Sequence, residues 1–167
     1  MRPASSSSAF AGRFLRVDVE RWTDPDRERE IVRHPSAAAI VALTAEQQVV
    51  LVRQLREAVR RPLLEIPAGI YDVEGEPPDR TARRELEEET GYRASALEPL
   101  GSIYTSPGFS DERIDLFLAT GRPVGKPEEG IKVVEMNLDE AVREIEAGSI
   151  ADAKSVAGLL LAARRLA

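Results

Sequence analysis

Across residues 14–20 the chain alternates apolar Leu15, Val17 and Val19 with polar Arg16, Asp18 and Glu20, the two-residue period of a strand with one buried face. A second strand is expected around Ile31. Segments 36–44 and 49–55 are apolar and β-branched and are separated by Ala45-Glu46-Gln47-Gln48, which predicts a hairpin entering the core. Residues 63–66 read as a short strand ended by Pro67. The pattern then turns helical from Pro78 to Thr90, with prolines where a first turn tolerates them, Asp79 at the positive end and Gly91 as C-cap. Strands follow over 100–104, 114–119 and 132–136, with a Pro/Gly/Ser loop at 105–112. A loop of that kind, carried by a rigid sheet, is a functional candidate. Asn137-Leu138-Asp139-Glu140 resembles a capping box opening a helix that ends near Gly148, and 152–166 predicts a final helix. No internal repeat or domain linker interrupts the chain. Mixed strands with one central and two terminal helices predict an α+β or layered α/β/α fold rather than a parallel βαβ series.

At 167 residues the chain can remove roughly 70% of its unfolded surface from water, so one real core is available. Its 43% apolar content is enough to offset the entropy of ordering. Asp plus Glu number 29 against 23 Lys plus Arg, a formal net charge of −6. That balance disfavours binding of a nucleic-acid backbone, which needs a dense basic face, but leaves room for a small phosphorylated ligand held by a local cluster. With no Cys and a single His, disulfides, a thiolate nucleophile and a Cys- or His-rich zinc site are excluded. Any metal chemistry must use oxygen ligands. The longest apolar runs, 37–43 and 156–163, fall far short of the ~20 residues that span a bilayer, so no membrane partner is expected. The start, MRPASSSSAFAG, has no apolar stretch of a secretory signal. The cytoplasm is therefore the expected location, with residues 5–8 a loose tail.

Within RRELEEET, Glu85, Glu88 and Glu89 are spaced i, i+3, i+4, which at about 100° per residue places three carboxylates on one helical face. Glu87 falls roughly opposite, and Arg84 flanks the acidic face beside Glu88. Like charges at these spacings cost ~0.2–0.5 kcal/mol per pair, and anions near the negative C-terminal end cost as much or more. A divalent cation would compensate, and carboxylates without His or Cys point to Mg²⁺ or Mn²⁺. A solvated surface helix is the other reading of this octapeptide alone.

The flanking residues extend the pattern. Gly69, Glu76, Arg84, Glu85, Leu86, Glu88, Glu89, Gly91 and Tyr92 resemble the Nudix box, G-x5-E-x7-R-E-U-x-E-E-x-G-U with U apolar. One departure is that six residues, not five, separate Gly69 from Glu76. The resemblance implies a Nudix-type α/β/α sandwich with a mixed β-sheet and hydrolysis of a nucleoside diphosphate linked to another moiety. It also implies that Glu85, Glu88 and Glu89 are metal ligands, that the Ala68 carbonyl completes the coordination, and that Arg84 and Glu76 orient the cluster. A general base must reach the attacking water, and Glu89 and Glu112 compete for that role.

Beyond the box, Val52-Arg53-Gln54-Leu55-Arg56, the segment from Leu64 to Gly69, and Ser106-Pro107-Gly108-Phe109-Ser110-Asp111-Glu112 resemble the ADP-ribose pyrophosphatase branch. The branch implies ADP-ribose as substrate, cleaved to AMP and ribose 5-phosphate. It implies Arg56 on the substrate phosphates, Glu112 near the scissile bond, and a homodimer whose N-terminal strands cross to the partner. By that analogy Phe14 stacks on adenine and Glu30 accepts its amino group. Ordinary strand packing is the competing reading of Phe14. Arg53 and Glu65 equally fit structural partners at an interface, His34 before Pro35 reads as structural, and Trp22 as a turn anchor. The expected organisation is a flexible tail over 1–12, dimerising antiparallel strands over 13–35 and a Nudix hydrolase domain over 36–167. Another nucleotide sugar or nucleotide coenzyme is the alternative substrate. A nucleotide sensor without turnover is the alternative class, opposed by the retention of all three box glutamates.

Overall fold

The chain opens with three antiparallel strands, β1 (Ser5–Ala11), β2 (Arg16–Thr23) and β3 (Asp26–Arg33), which form a sheet of their own in that order. The computed structural model describes residues 2–167. The serines expected to lie in a loose tail are thus strand β1, exposed at every residue and held by its ladder to β2. Backbone pairing needs no apolar side chains, so alternation could not announce it. Strand β2 begins at Arg16, leaving Phe14 in the preceding connection. Its burial is also the reverse of what alternation predicts. Asp18 and Glu20 are each 5% exposed, while Val17 and Val19 are only half-buried. The reason is Arg33, whose guanidinium donates to both carboxylates, and Arg16, which pairs with Asp18. Opposite charges meet inside, and the apolar face of the strand is left outward.

The main sheet has seven strands. β4 (Ala37–Leu43) and β5 (Gln48–Arg56) form the expected hairpin, followed by β6 (Arg61–Glu65) and β7 (Ala68–Ile70), then helix α1 (Pro78–Thr90). Strands β8 (Tyr92–Tyr104), β9 (Arg113–Pro123) and β10 (Lys132–Asn137) and helices α2 (Leu138–Glu146) and α3 (Ala153–Leu166) complete the chain. The order is β10-β5-β4-β9-β8, with β6 on β5 and β7 on β4. Only β4 and β9 run parallel among the described pairs, so the sheet is mixed. Every residue of β4 is buried, as befits a strand covered on both faces. On one face Ala39, Val41, Leu116 and Leu118 pack with Leu159 and Ala162 of α3 and Ala141 of α2. On the other, Ala38, Ile40, Phe117 and Ala119 pack with Ala82 and Leu86 of α1. This is the predicted α+β, Nudix-type sandwich with an antiparallel N-terminal extension.

Strand β8 is longer than the predicted 100–104, because register shifts between Ala94 and Ala96 and between Pro99 and Gly101 break its alternation into short pieces. The capping box of α2 does not form. Asn137 occupies the cap position without a side-chain hydrogen bond. Strand β4 pairs with β7 over its first half and with β5 only at Ala42 and Leu43. The sheet splays there, and Ala68 and Gly69 enter the opening beneath α1. No helix among the described residues is long and apolar enough to cross a membrane.

Candidate active site

Helix α1 is fixed at both ends. Prolines set its first turn, and Gly91 ends it at φ 73°, with its N–H donating to the Glu87 carbonyl at 2.9 Å. The Glu88 carbonyl accepts from the Glu128 N–H at 3.0 Å, satisfying one of the orphan acceptors of a last turn. The face turned inward is Thr81, Ala82, Leu86, Glu89 and Thr90, so a carboxylate lies on the buried stripe.

That carboxylate is 8% exposed and accepts a hydrogen bond from the Ala68 N–H at 3.1 Å. Burial pushes the Glu89 carboxyl up to about 7, with Glu85 adding to the effect and the Ala68 N–H, Arg56 and Lys154 opposing it. Glu85 is likewise raised, first by burial and then by Glu88, against the pull of Arg84. The closeness of the β7 backbone is visible at Gly69, where a Cβ atom would stand 1.9 Å from the Glu85 Cδ. Only glycine leaves the Glu85 carboxylate its place.

Arg84 joins the rest of the acidic face. It reaches Glu85 at 2.6 Å, Glu88 at 3.0 Å, Glu76 at 3.3 Å and Asp72 at 2.8 Å. Glu76 also accepts from the Thr81 hydroxyl at 2.9 Å, so the extra residue after Gly69 does not detach it from the helix. Asp72 and Thr81 carried no signal of their own in the sequence, since each belongs to the cluster only through its contact.

No group of three or more His, Cys, Asp or Glu side chains converges as a metal-ligand set among the described residues. Instead Arg84 draws Glu85 and Glu88, while Glu89 turns to the Ala68 amide. The donor set nevertheless fits a hard dication. The carboxyls of Glu85 and Glu89 are both held above the ordinary range by burial, so a cation beside them would be favoured, and the lack of a Cβ at Gly69 leaves the Glu85 carboxylate its place there.

Arg56 lies on the same side. Its guanidinium is bidentate to Glu65 at 2.9 and 2.6 Å, and its charge acts on Glu89. Glu65, 1% exposed, is an internal partner. Burial alone would raise its carboxyl, but Arg56 and Lys154 outweigh that and hold it below the ordinary range. Lys154, missed by sequence reasoning, is brought in by α3, which is tied to β6 through the Ile66 N–H donating to the Ser155 hydroxyl at 2.8 Å.

Glu112 belongs to the loop between β8 and β9. Its two oxygens face Thr105 at 2.6 Å and His34 at 3.0 Å, and its described contacts include none with α1. Phe14, 54% exposed, lies under the Arg13 guanidinium at 4.9 Å, and Glu30 is exposed on β3 opposite Val19. Both sit in the N-terminal strand region and make no described contact with the acidic helix.

The geometry is that of a family. A NUDIX domain matches residues 32–159. A protein of Bacillus methanolicus called methanol dehydrogenase activator is 44% identical, over 88% of this chain and 84% of its own length. An ADP-ribose pyrophosphatase of Bacillus subtilis is 40% identical over 87% and 83%, and a GDP-mannose pyrophosphatase of Cronobacter sakazakii 35% over 90% and 86%. A solved ADP compounds hydrolase superposes with a TM-score of 0.83 at 20% identity, over 99% of this chain and 95% of that one, which bears on the fold.

Proposed function

The chain belongs to the NUDIX family, and from that premise we propose that it hydrolyses the phosphoanhydride of ADP-ribose to AMP and ribose 5-phosphate with Mg²⁺ or Mn²⁺. The observation that carries the reading is the pair of carboxylates with raised protonation, the half-buried Glu85 against Gly69 and the buried Glu89 against Ala68. For the substrate, support comes from the 40% identical ADP-ribose pyrophosphatase. The 35% identical GDP-mannose enzyme supports a second reading, another nucleotide sugar.

Glu85, Glu88 and Glu89, with the Ala68 carbonyl, would hold the dication, and Arg84 and Glu76 would keep the carboxylates aligned. When bound, the cation supplies positive charge against the phosphate oxygens and makes water a better nucleophile. Arg56, kept charged and oriented by Glu65, presents a planar donor fork to the phosphates. A carboxylate takes the proton from the attacking water while a P–O anhydride bond breaks. We assign that role to Glu112, which stands apart from the ligand set with one oxygen on a hydroxyl and the other on an imidazole. Glu89 is the competing base, and Glu112→Gln decides between them.

We assign adenine contacts to Phe14 and Glu30, and a homodimer to the N-terminal strands. Phe10, Val17 and Val32 stand in register across β1, β2 and β3, and Phe10 is 56% exposed. A second copy would cover that apolar row, and light scattering at micromolar concentration should give twice the chain mass. The test of activity is incubation with ADP-ribose, GDP-mannose and other nucleoside diphosphate derivatives, with and without Mg²⁺, followed by chromatography. AMP and ribose 5-phosphate should appear fastest from ADP-ribose, and only with the ion. A preference for GDP-mannose would move the reading to nucleotide sugars.

A further inference from the structure

The only histidine of the chain stands just past the end of β3 with Nδ1 2.9 Å from the Pro35 carbonyl oxygen and 3.0 Å from Glu112 Oε1. A carbonyl oxygen can only accept, so Nδ1 carries the hydrogen. The one hydrogen on Nδ1 is directed to the Pro35 carbonyl, and Glu112 Oε1 lies against that same edge of the ring at 3.0 Å. The Thr105 hydroxyl donates to the other carboxylate oxygen, Oε2, at 2.6 Å. Thr105 thus holds Oε2 while the Nδ1 edge of His34 flanks Oε1, and each oxygen keeps a lone pair for water.

The loop that carries Glu112 is fastened to the same strand. The Val32 N–H donates to the Phe109 carbonyl at 2.7 Å, and the Asp111 N–H donates to the Val32 carbonyl at 3.3 Å. The His34 N–H donates to Asp111 Oδ1 at 3.1 Å, and Arg33 donates to Asp111 Oδ2 at 3.0 Å. These contacts set where the loop lies.

We propose that His34 is a positioning residue: its ring, anchored by Nδ1–H on the Pro35 carbonyl, sets the electropositive Nδ1 edge against Oε1 and so keeps the Glu112 carboxylate in the orientation from which it takes the proton of the attacking water. The proposal rests on the assignment of Glu112 as general base. It gives a role in the reaction to a side chain that touches neither substrate nor metal ligand.

The test is a double-mutant cycle on the best substrate of the panel, with one spectroscopic arm. Since base catalysis contributes about 10²–10⁴-fold, partial misorientation in His34→Ala should lower kcat about tenfold and leave KM unchanged. His34→Asn, whose amide N–H falls near the place of Nδ1–H, should restore most of that loss. In a Glu112→Gln background, His34→Ala should add nothing. Multiplicative losses in the double variant, or a raised KM with unchanged kcat, would overturn the role of His34 while leaving the base assignment intact. Full turnover by Glu112→Gln would instead remove the base, and the proposal with it. The spectroscopic arm needs no turnover. With one imidazole in the chain, its ¹⁵N signals are unambiguous, and Glu112→Gln should move the Nδ1 resonance. An unmoved resonance overturns the contact even if no substrate of the panel is cleaved.

Discussion

Gly69 is the residue at which shape and chemistry are hardest to separate. A Cβ there would first meet the Glu85 carboxylate, at 1.9–2.3 Å, the far end of a side chain that can swing away. Gly69→Ala should therefore fold with a change in stability within about 1 kcal/mol, yet lose most activity because Glu85 is displaced. Circular dichroism melts beside turnover assays check the two halves. Glu89 separates them in the opposite sense. Its folded value near 7 lies above the ordinary 4.5, so its favourable contribution is complete below about pH 4.5 and is lost as pH rises through 7. In chelator at about pH 8, Glu89→Gln should be more stable than the parent by on the order of 2 kcal/mol, the difference vanishing near pH 4. The same variant should lose turnover. Mg²⁺ should raise the melting temperature of the parent and leave the variant nearly unmoved, narrowing or reversing the gap. A parent that is the more stable protein at every pH in chelator would contradict this account of Glu89.

At the scale of elements, α1 shows what a sequence can and cannot announce. Its bounds follow from local signals: Pro77 and Pro78, Asp79, an amphipathic run and Gly91. Gly91 does more than stop the helix, because a Cβ there would lie 2.6 Å from the Gly125 carbonyl oxygen at a φ of 73°. Gly91→Ala should cost at least about 1–2 kcal/mol from the left-handed backbone alone, with the clash added, and equilibrium urea unfolding measures it. A cost of only about 1–2 kcal/mol would mean that loop 124–130 moves away and leaves the backbone cost alone. The box residues were legible because they are neighbours along one helix and the turn before it. By contrast, Lys154 and Glu65 are separated by 89 positions, and Arg33 and Asp111 by 78. Such pairs leave no period or spacing to read. Strand β2 misled for a related reason. Alternation reveals that two faces differ, and the charged one turned inward once Arg33 was available to pair Asp18 and Glu20.

The whole molecule is two sheets joined near one cation. Arg33 bonds Asp18 and Glu20 within the N-terminal sheet and Asp111 at the edge of the sandwich, and Val32 on the same strand pairs with the backbone of that loop. A partly buried charge bridging three carboxylates differs from an exposed ion pair, because two of them, Asp18 and Glu20, are each only 5% exposed, while the Asp111 side chain is 44% exposed. Asp18 retains Arg16, but Glu20, only 5% exposed, has no other described cation. Arg33→Ala should therefore lower the melting temperature, and by more than the loss of an exposed ion pair would. Arg33→Lys should recover only part of this, since one ammonium lacks the fork that spans three carboxylates. A second consequence follows if the N-terminal sheet holds the loop of Glu112 as well as itself. Under conditions where Arg33→Ala remains folded, kcat should fall further than the remaining folded fraction explains. Thermal melts and kinetics on the same samples decide the point. Proportional loss of activity and folded protein would mean that Arg33 serves stability alone, and that the N-terminal sheet could be loosened without disturbing the catalytic loop.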